Sequence, residues 1–254
     1  MVEKPYARLL GEAAWVWSSK QKKVVFGVSI VLLVWTDGQG RMPLAFRRWH
    51  TGGASKFALA LALLSYARNR LRCQPQFVLF DSWYPSHKLL KRLRDSGGYF
   101  LCQLKKNRRF EGRPLARALQ QPSWQASGSL TGGIKVFVVR DRRTYSATNR
   151  LSLTAQEVRT LYRKRQEVEE VIRVLKSHFS LEACPAGYRR SSEAKPRGRE
   201  GAQEHQIALC LVAYLIVERE RVDRGDTWRQ RKRQLILTRP QDASPALQRV
   251  REAA

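Results

Sequence analysis

Acid is scarce in this chain. Twenty-one Asp and Glu face forty-eight Lys and Arg among 254 residues, a formal net charge of +27. An excess of one sign this large destabilises a compact fold by self-repulsion, so a polyanion such as DNA or RNA is the economical counterpart. Cysteine is sparse as well. Cys73, Cys102, Cys184 and Cys210 stand alone, with no CxxC pair and no matching His spacing, so neither a zinc site nor a disulfide framework is indicated and buried, reduced thiols are expected. Long apolar runs are missing: VVFGVSIVLLVW and IALCLVAYLIV fall short of the roughly 18 residues read as a spanning helix. No secretory signal opens the chain, since Met1 is followed by VEKPYARLLGE. These absences predict an intracellular protein with no membrane partner. What is present is core-forming material, because a hydrophobic fraction of 43% with seven Trp is too rich for a disordered basic tail. One or two domains suit the length, and no internal repeat is visible.

The local pattern is that of an α/β fold. Two β-branched runs, VVFGVSIVLLVWT and MPLAFRRW, flank Asp37-Gly38-Gln39-Gly40 and read as an antiparallel hairpin. Residues 55–72, rich in Ala and Leu, predict a helix. FVLF, closed by Asp81, reads as a short buried strand; a helix to about Ser96 follows, stopped by Gly97-Gly98, and YFLCQL is a second buried strand. Residues 105–129, basic and broken by Pro114 and Pro122, read as an irregular insertion; strands IKVFVVR and RTYSATN follow. Thr154-Ala155-Gln156-Glu157 has the spacing of a capping box and opens one long helix. Residues 185–201 read as a basic flexible loop, a last apolar helix spans about 203–221, and the tail carrying RQRKR looks partly disordered.

The long helix carries YRKRQEVEEVIRVLK, Tyr162 to Lys176. At about 100° per residue, Tyr162, Arg165, Glu169 and Lys176 fall at roughly 0°, −60°, −20° and −40°, one narrow stripe. Leu161, Val168, Ile172, Leu175 and Phe179 form an apolar face beside it. A rigid carboxylate at the edge of a basic surface repels phosphate unless a divalent cation lies between, and Mg²⁺ is bound by one or two carboxylates plus phosphate oxygens. The plainer alternative for Glu169 is an ion pair with Arg165 or Arg173, each four residues away. Asp81 has two readings as well: a helix cap or turn residue, or a site residue at the carboxyl edge of a sheet strand, where α/β folds place ligands.

The spacing Tyr-x2-Arg-x3-Glu-x6-Lys, met by Tyr162, Arg165, Glu169 and Lys176, resembles the signature of the DDE transposases of bacterial insertion sequences. FVLFDSWYPS, GGYFLCQLKKNRRF, SATNRLSLTAQEVRTLYRKR and EHQIALCLVAYLIV with His205 are similar to that family in the same order, to about Arg221. The resemblance implies an α/β, ribonuclease H-like mixed sheet flanked by helices, with an insertion before the Glu-bearing helix. It divides the chain into a first part of the core at 1–104, an insertion and β-rich segment at 105–149, core completion at 150–221 and a basic tail at 222–254. It implies Mg²⁺-dependent phosphodiester hydrolysis and strand transfer, with a two-metal site held by three carboxylates, of which Asp81 is the second and Glu169 the third. Tyr162, Arg165 and Lys176 are implied contacts to phosphates at the transposon end, with Lys105, Lys106, Arg108 and Arg109 as further backbone contacts or, equally, a solvated charge run. Double-stranded DNA, both transposon ends and target, is the implied partner, with a homodimer in a synaptic complex and a cytoplasmic, nucleoid-associated location.

The family's first catalytic Asp precedes a segment resembling VEKPYARLLGEAAWVWSSKQKKVVFGVSIV, whereas here Met1-Val2-Glu3-Lys4-Pro5 begins the chain. Asp37 sits in the hairpin turn, at the wrong end to replace it, and Glu3 has no strand before it. The expectation is a chain lacking its first strand and first carboxylate, with an incomplete metal site and impaired or absent catalysis. The alternative expectation is a non-catalytic DNA-binding remnant, because Lys and Arg contacts to phosphate survive without the metals. Gln166 stands where many relatives carry Trp.

Overall fold

The computed structural model describes residues 2–3, 13–18, 22–120, 124–182 and 202–237. Cys184, the expected loop at 185–201 and the tail beyond residue 237 lie outside the described residues. The chain divides into two compact units, one of Met1–Ser55 with Glu167–Ala254 and one of Lys56–Gln166.

In the first unit, β1 (Val2–Glu3), β2 (Ala14–Ser18) and β4 (Arg41–Trp49) all pair antiparallel with the long β3 (Lys23–Thr36). The hairpin expected around DGQG is present. Asp37 Oδ1 accepts from the backbone N–H of Gln39 at 2.8 Å and of Gly40 at 2.9 Å, and Gly38 supplies the positive φ of 101° that the turn requires. The ladder shifts register between Leu33 and Val34, beside Pro43, which has no N–H to give it.

The second unit begins with α1 (Lys56–Asn69), then β5 (Phe77–Phe80), α2 (His87–Asp95) and β6 (Tyr99–Leu104). Ser86 caps α2 by accepting from Leu89 N–H at 3.2 Å. β5 and β6 pair in parallel. The sheet continues β5-β6-β11-β10-β9-β7-β8, with β7 (Arg109–Phe110), β8 (Arg113–Pro114), β9 (Gln125–Leu130), β10 (Ile134–Asp141) and β11 (Thr144–Thr148). A single helical turn, α3 (Leu115–Ala118), lies between β8 and β9. Successive β6 residues point to opposite faces: Phe100, Cys102 and Leu104 join Leu89, Leu90 and Leu93 of α2 with Leu61 and Leu64 of α1 on one side. Leu101 joins Phe137, Val139 and Val158 on the other.

Part of the segment 105–129, expected to be irregular, is sheet. Gly128 lies inside β9, and a Cβ there would stand 2.5 Å from Phe110 Cζ and 2.8 Å from Glu111 Oε1. The glycine that reads as a loop residue admits an aromatic ring instead.

The expected single long helix is two. α4 (Ala155–Arg163) opens on the expected capping box of Thr154 and Glu157. It then tightens, Lys164 N–H bonding to Leu161 O at 3.1 Å and Arg165 N–H to Tyr162 O at 3.0 Å, the three-residue spacing of a closing turn. α5 (Gln166–His178) starts afresh and belongs to the first unit. Tyr162, Arg165, Glu169 and Lys176 are therefore not a stripe on one continuous helix. The apolar face of α5 is correspondingly shifted: Val171, Val174 and Leu175 are buried with Val28, while Phe179 packs against that cluster.

α6 (Ala202–Arg224) and α7 (Trp228–Leu237) complete the first unit. The RQRKR stretch, expected to be partly disordered, is helical in α7. Thr227 Oγ1 accepts from Gln230 N–H at 3.3 Å and Gln230 Oε1 accepts from Thr227 N–H at 2.8 Å, a reciprocal N-terminal cap. Trp228 then packs its ring 5.1 Å from Tyr214 and 6.0 Å from Phe179. Glu218, 2% exposed, accepts from Arg221 Nε at 2.8 Å and Arg41 N–H at 3.0 Å, while Arg221 Nη2 donates to Gln39 O at 3.1 Å. One buried carboxylate thus fastens the DGQG turn to α6. Of the cysteines, Cys102 and Cys210 are buried and Cys73 is half-buried. Among the described residues no helix is long and apolar enough to cross a membrane.

Two stability outcomes follow from these packings. Glu218→Ala leaves Arg221 without its carboxylate and is expected to cost about 3 kcal/mol, read as a lowered urea midpoint; an unchanged midpoint would remove Glu218 from the fastening role. Gly128→Ala is expected to cost about 1–3 kcal/mol by overpacking, and Phe110→Leu in the same chain is expected to recover part of the loss. No recovery would mean that the ring is not what Gly128 accommodates.

Candidate functional site

The parallel register of the second unit decides which side chains meet. Phe80 ends β5 opposite Cys102, and β6 runs two residues further to Leu104. β11 enters antiparallel with Tyr145 opposite Leu104. Asp81, Lys105 and the β10–β11 turn with Arg143 therefore leave the sheet at the same edge, the carboxyl edge of β5.

Asp81 is held in place there. Its Oδ1 accepts from Trp83 N–H at 2.9 Å, and its backbone carbonyl accepts from Tyr84 N–H at 3.3 Å. The chain turns through Asp81 as the cap reading expects, while the carboxylate sits at the sheet edge as the site reading expects. Burial lowers the Lys56 ammonium from its usual range, with the charge of Asp81 opposing that shift. Burial first, then the same charge, pushes the Tyr84 phenol up to about 12. The Tyr84 ring meets Phe57 edge-on at 6.4 Å.

α4 reaches this edge as well. Tyr162 OH donates to Phe80 O over a long 3.5 Å, and the Arg165 guanidinium lies 6.0 Å from the Tyr162 ring. Asp81, Tyr162 and Arg165 are therefore gathered in one unit. Beside them opens a cleft of about 430 Å³ lined by Ser82, Gln103, Lys105, Lys106, Asn107 and Arg143. The Lys105 ammonium stands 5.1 Å from the centre of the Trp83 ring. Arg108 turns inward, its Nε and Nη2 buried without a hydrogen-bond partner, whereas Arg109 is exposed on β7.

In the first unit Glu169 is exposed in the first turn of α5. Arg173, one of the two arginines expected to pair with it, donates to Glu170 Oε2 through Nε at 3.1 Å and Nη2 at 2.5 Å. Lys176 Nζ donates to Glu182 Oε1 at 2.7 Å. Both partners are roughly one-third exposed, 30% and 37%, so the bridge is partly screened by solvent. His205 is exposed on α6, and Asp37 is engaged by its own turn.

Asp81 fits as one ligand of a divalent ion, a hard oxygen donor already oriented by the Trp83 N–H. Among the described residues no three His, Cys, Asp or Glu side chains are grouped to complete a metal site. Two features at this edge escaped the sequence reading: Lys56 in the field of Asp81, and Trp83, whose Asp-x-Trp spacing suits an aspartate turn.

Residues 5–195 match the family model described as "Transposase DDE domain". No curated protein matches the chain in sequence. Among solved structures, the cryo-EM structure of the piggyBac transposase synaptic complex with hairpin DNA is similar, at 12% identity and a TM-score of 0.53, over 88% of this chain and 47% of that one. The chain thus spans about half the length of that relative. At such identity the likeness is one of fold, the ribonuclease H-like α/β class.

The Tyr84 shift has a definite sign. A phenol whose folded value, about 12, exceeds its ordinary 10.0 contributes stability that is fully present below 10 and is lost as pH rises toward 12. Melting temperatures across that window are expected to fall more steeply for the native chain than for Tyr84→Phe; parallel curves would contradict the buried phenol.

Proposed function

Because this chain belongs to the family of transposases with a DDE domain, we propose that it hydrolyses phosphodiester bonds at transposon ends and transfers the freed strands to target DNA, with Mg²⁺ held by Asp81 and Glu169. The family is one of DNA-cleaving nucleotidyl transferases. The observation that carries the reading is Asp81, fixed by the backbone N–H of Trp83 at the carboxyl edge of β5, next to Ser82 of a cleft lined by Lys105, Lys106 and Arg143. The cations at that edge draw the DNA backbone toward it.

Mg²⁺ bound to such carboxylates supplies activation of the attacking oxygen and stabilisation of the leaving one. The protein's own part is positioning. Tyr162, anchored on the Phe80 carbonyl, and Arg165 over its ring hold a phosphate beside Asp81; Lys176 exchanges Glu182 for a second phosphate. Such contacts set the register of the DNA without reading its sequence. Synapsis of two ends by a homodimer and a place beside the bacterial nucleoid complete the reading.

The test is Mg²⁺-dependent nicking of a matched transposon-end duplex, by the 254-residue chain and by the same chain joined to upstream sequence that supplies a further Asp. Activity in the extended form that Asp81→Asn or Glu169→Gln abolishes, with DNA affinity retained, supports the catalytic reading. Inactivity of both forms with intact DNA binding leaves a DNA-binding protein and removes the catalytic one. For the phosphate contacts, Lys176→Ala is expected to weaken binding across all sequences and to lower the salt slope by about 1; an unchanged slope would take Lys176 off the phosphate.

A further inference from the structure

Trp83 is 68% exposed, an unusual position for the largest apolar side chain. Its root is not free to wander: the backbone N–H of Trp83 donates to Asp81 Oδ1 at 2.9 Å, which fixes the backbone that carries the indole beside the carboxylate two residues before it. Lys105 places its ammonium 5.1 Å from the ring centre, on a strand end that shares the sheet edge with Asp81. The same lysine lines the cleft of about 430 Å³, together with Lys106, Arg143, Gln103 and Asn107. That volume falls within the roughly 300–1,000 Å³ of small-ligand sites. Three cations and two amides line it, and no carboxylate does.

We propose that Trp83 and this cleft form a stacking site for an unpaired nucleotide of the DNA strand next to Asp81, the ring taking the base and Lys105, Lys106 and Arg143 the phosphates. An exposed indole beside clustered cations is matched by a flat aromatic ligand that carries negative charge, which describes a nucleotide. Pairing within a duplex stacks each base face against its neighbours, so a base offers its face to Trp83 only where a strand is single or frayed. Stacking of this kind is tolerant of sequence, because every base has a π-face. The cleft therefore distinguishes strand state rather than base identity, and it makes Trp83 a positioning residue for the strand presented to Asp81. The inference rests on the DNA-handling reading above, but not on catalysis.

The measurement is fluorescence anisotropy in EDTA with two labelled probes of the same sequence, one a blunt duplex and one a duplex ending in a short single-stranded extension. Trp83→Ala is expected to weaken binding to the extended probe by roughly 5- to 150-fold, to leave the blunt duplex unchanged, and to be largely rescued by Trp83→Phe, which keeps an aromatic face. With 2-aminopurine in the extension, the native chain is expected to quench its emission on binding and Trp83→Ala is not. Equal loss on both probes, no loss on either, or quenching that survives in Trp83→Ala overturns the proposal and leaves Trp83 as a surface partner of Lys105. EDTA removes the metal from the experiment, so nicking can fail while the stacking site stands, and stacking can fail while nicking stands.

Discussion

The parallel pairing of β5 with β6 is the constraint on which the candidate site depends. Parallel strands send their carboxyl ends the same way, so Asp81 and Lys105 reach one edge without any contact between their side chains having to arrange it. β11, antiparallel to β6, delivers the turn with Arg143 to that edge. α4 is bound to the opposite face of β6 through Leu101, Phe137 and Val158, which sets Tyr162 against the last carbonyl of β5. Moving β5 by one residue against β6 would send Asp81 to the other face of the pleat.

Scarcity of acid leaves several described carboxylates closely engaged. Glu218 neutralises Arg221 and ties down a hairpin turn; Glu170 takes Arg173, Glu182 takes Lys176 and Glu204 takes Arg48. Glu157 and Asp37 satisfy backbone N–H groups at a helix start and a turn. Against that background, Asp81 is a carboxylate whose hydrogen bond goes to a backbone N–H at the sheet edge rather than to a guanidinium. The chain carries +27 and keeps most of its internal ion pairing at the folds of the first unit, leaving Lys105, Lys106 and Arg143 facing outward in the second.

Features fixed by a few neighbouring residues were legible in the sequence. The DGQG hairpin, the capping box at Thr154 and the strands ending at Phe80 and Leu104 each announce themselves within a short window. The strand through Gly128 was not legible, because its glycine is explained by Phe110, eighteen positions earlier and across a sheet. The helix of the RQRKR stretch was missed although Thr227-x-x-Gln230 carries the cap spacing, since a dense basic run reads as tail. The break at Lys164 depends on each half of the helix finding a different core, which periodicity does not encode. Of the site, Asp81 stood out by its place at a strand end, and Tyr162 and Arg165 by their spacing from Glu169. Trp83 and Lys56 did not stand out, because an exposed indole and a half-buried ammonium look in sequence like any other Trp and Lys.

The order in which the two units close along the chain bears on how the protein is made. Lys56–Gln166 is one uninterrupted stretch, whereas the other unit is assembled from both ends of the chain. During synthesis the β3–β4 hairpin emerges before the Lys56–Gln166 unit, with Val28 and its neighbours awaiting Val171, Leu175, Ile207 and Tyr214, which are translated only after that entire unit. The continuous unit can fold as it leaves the ribosome, while the hairpin's apolar face stays uncovered until α5 and α6 arrive. Non-local closure of this kind is slow, so the apolar face of the hairpin is the last part of that core to be covered.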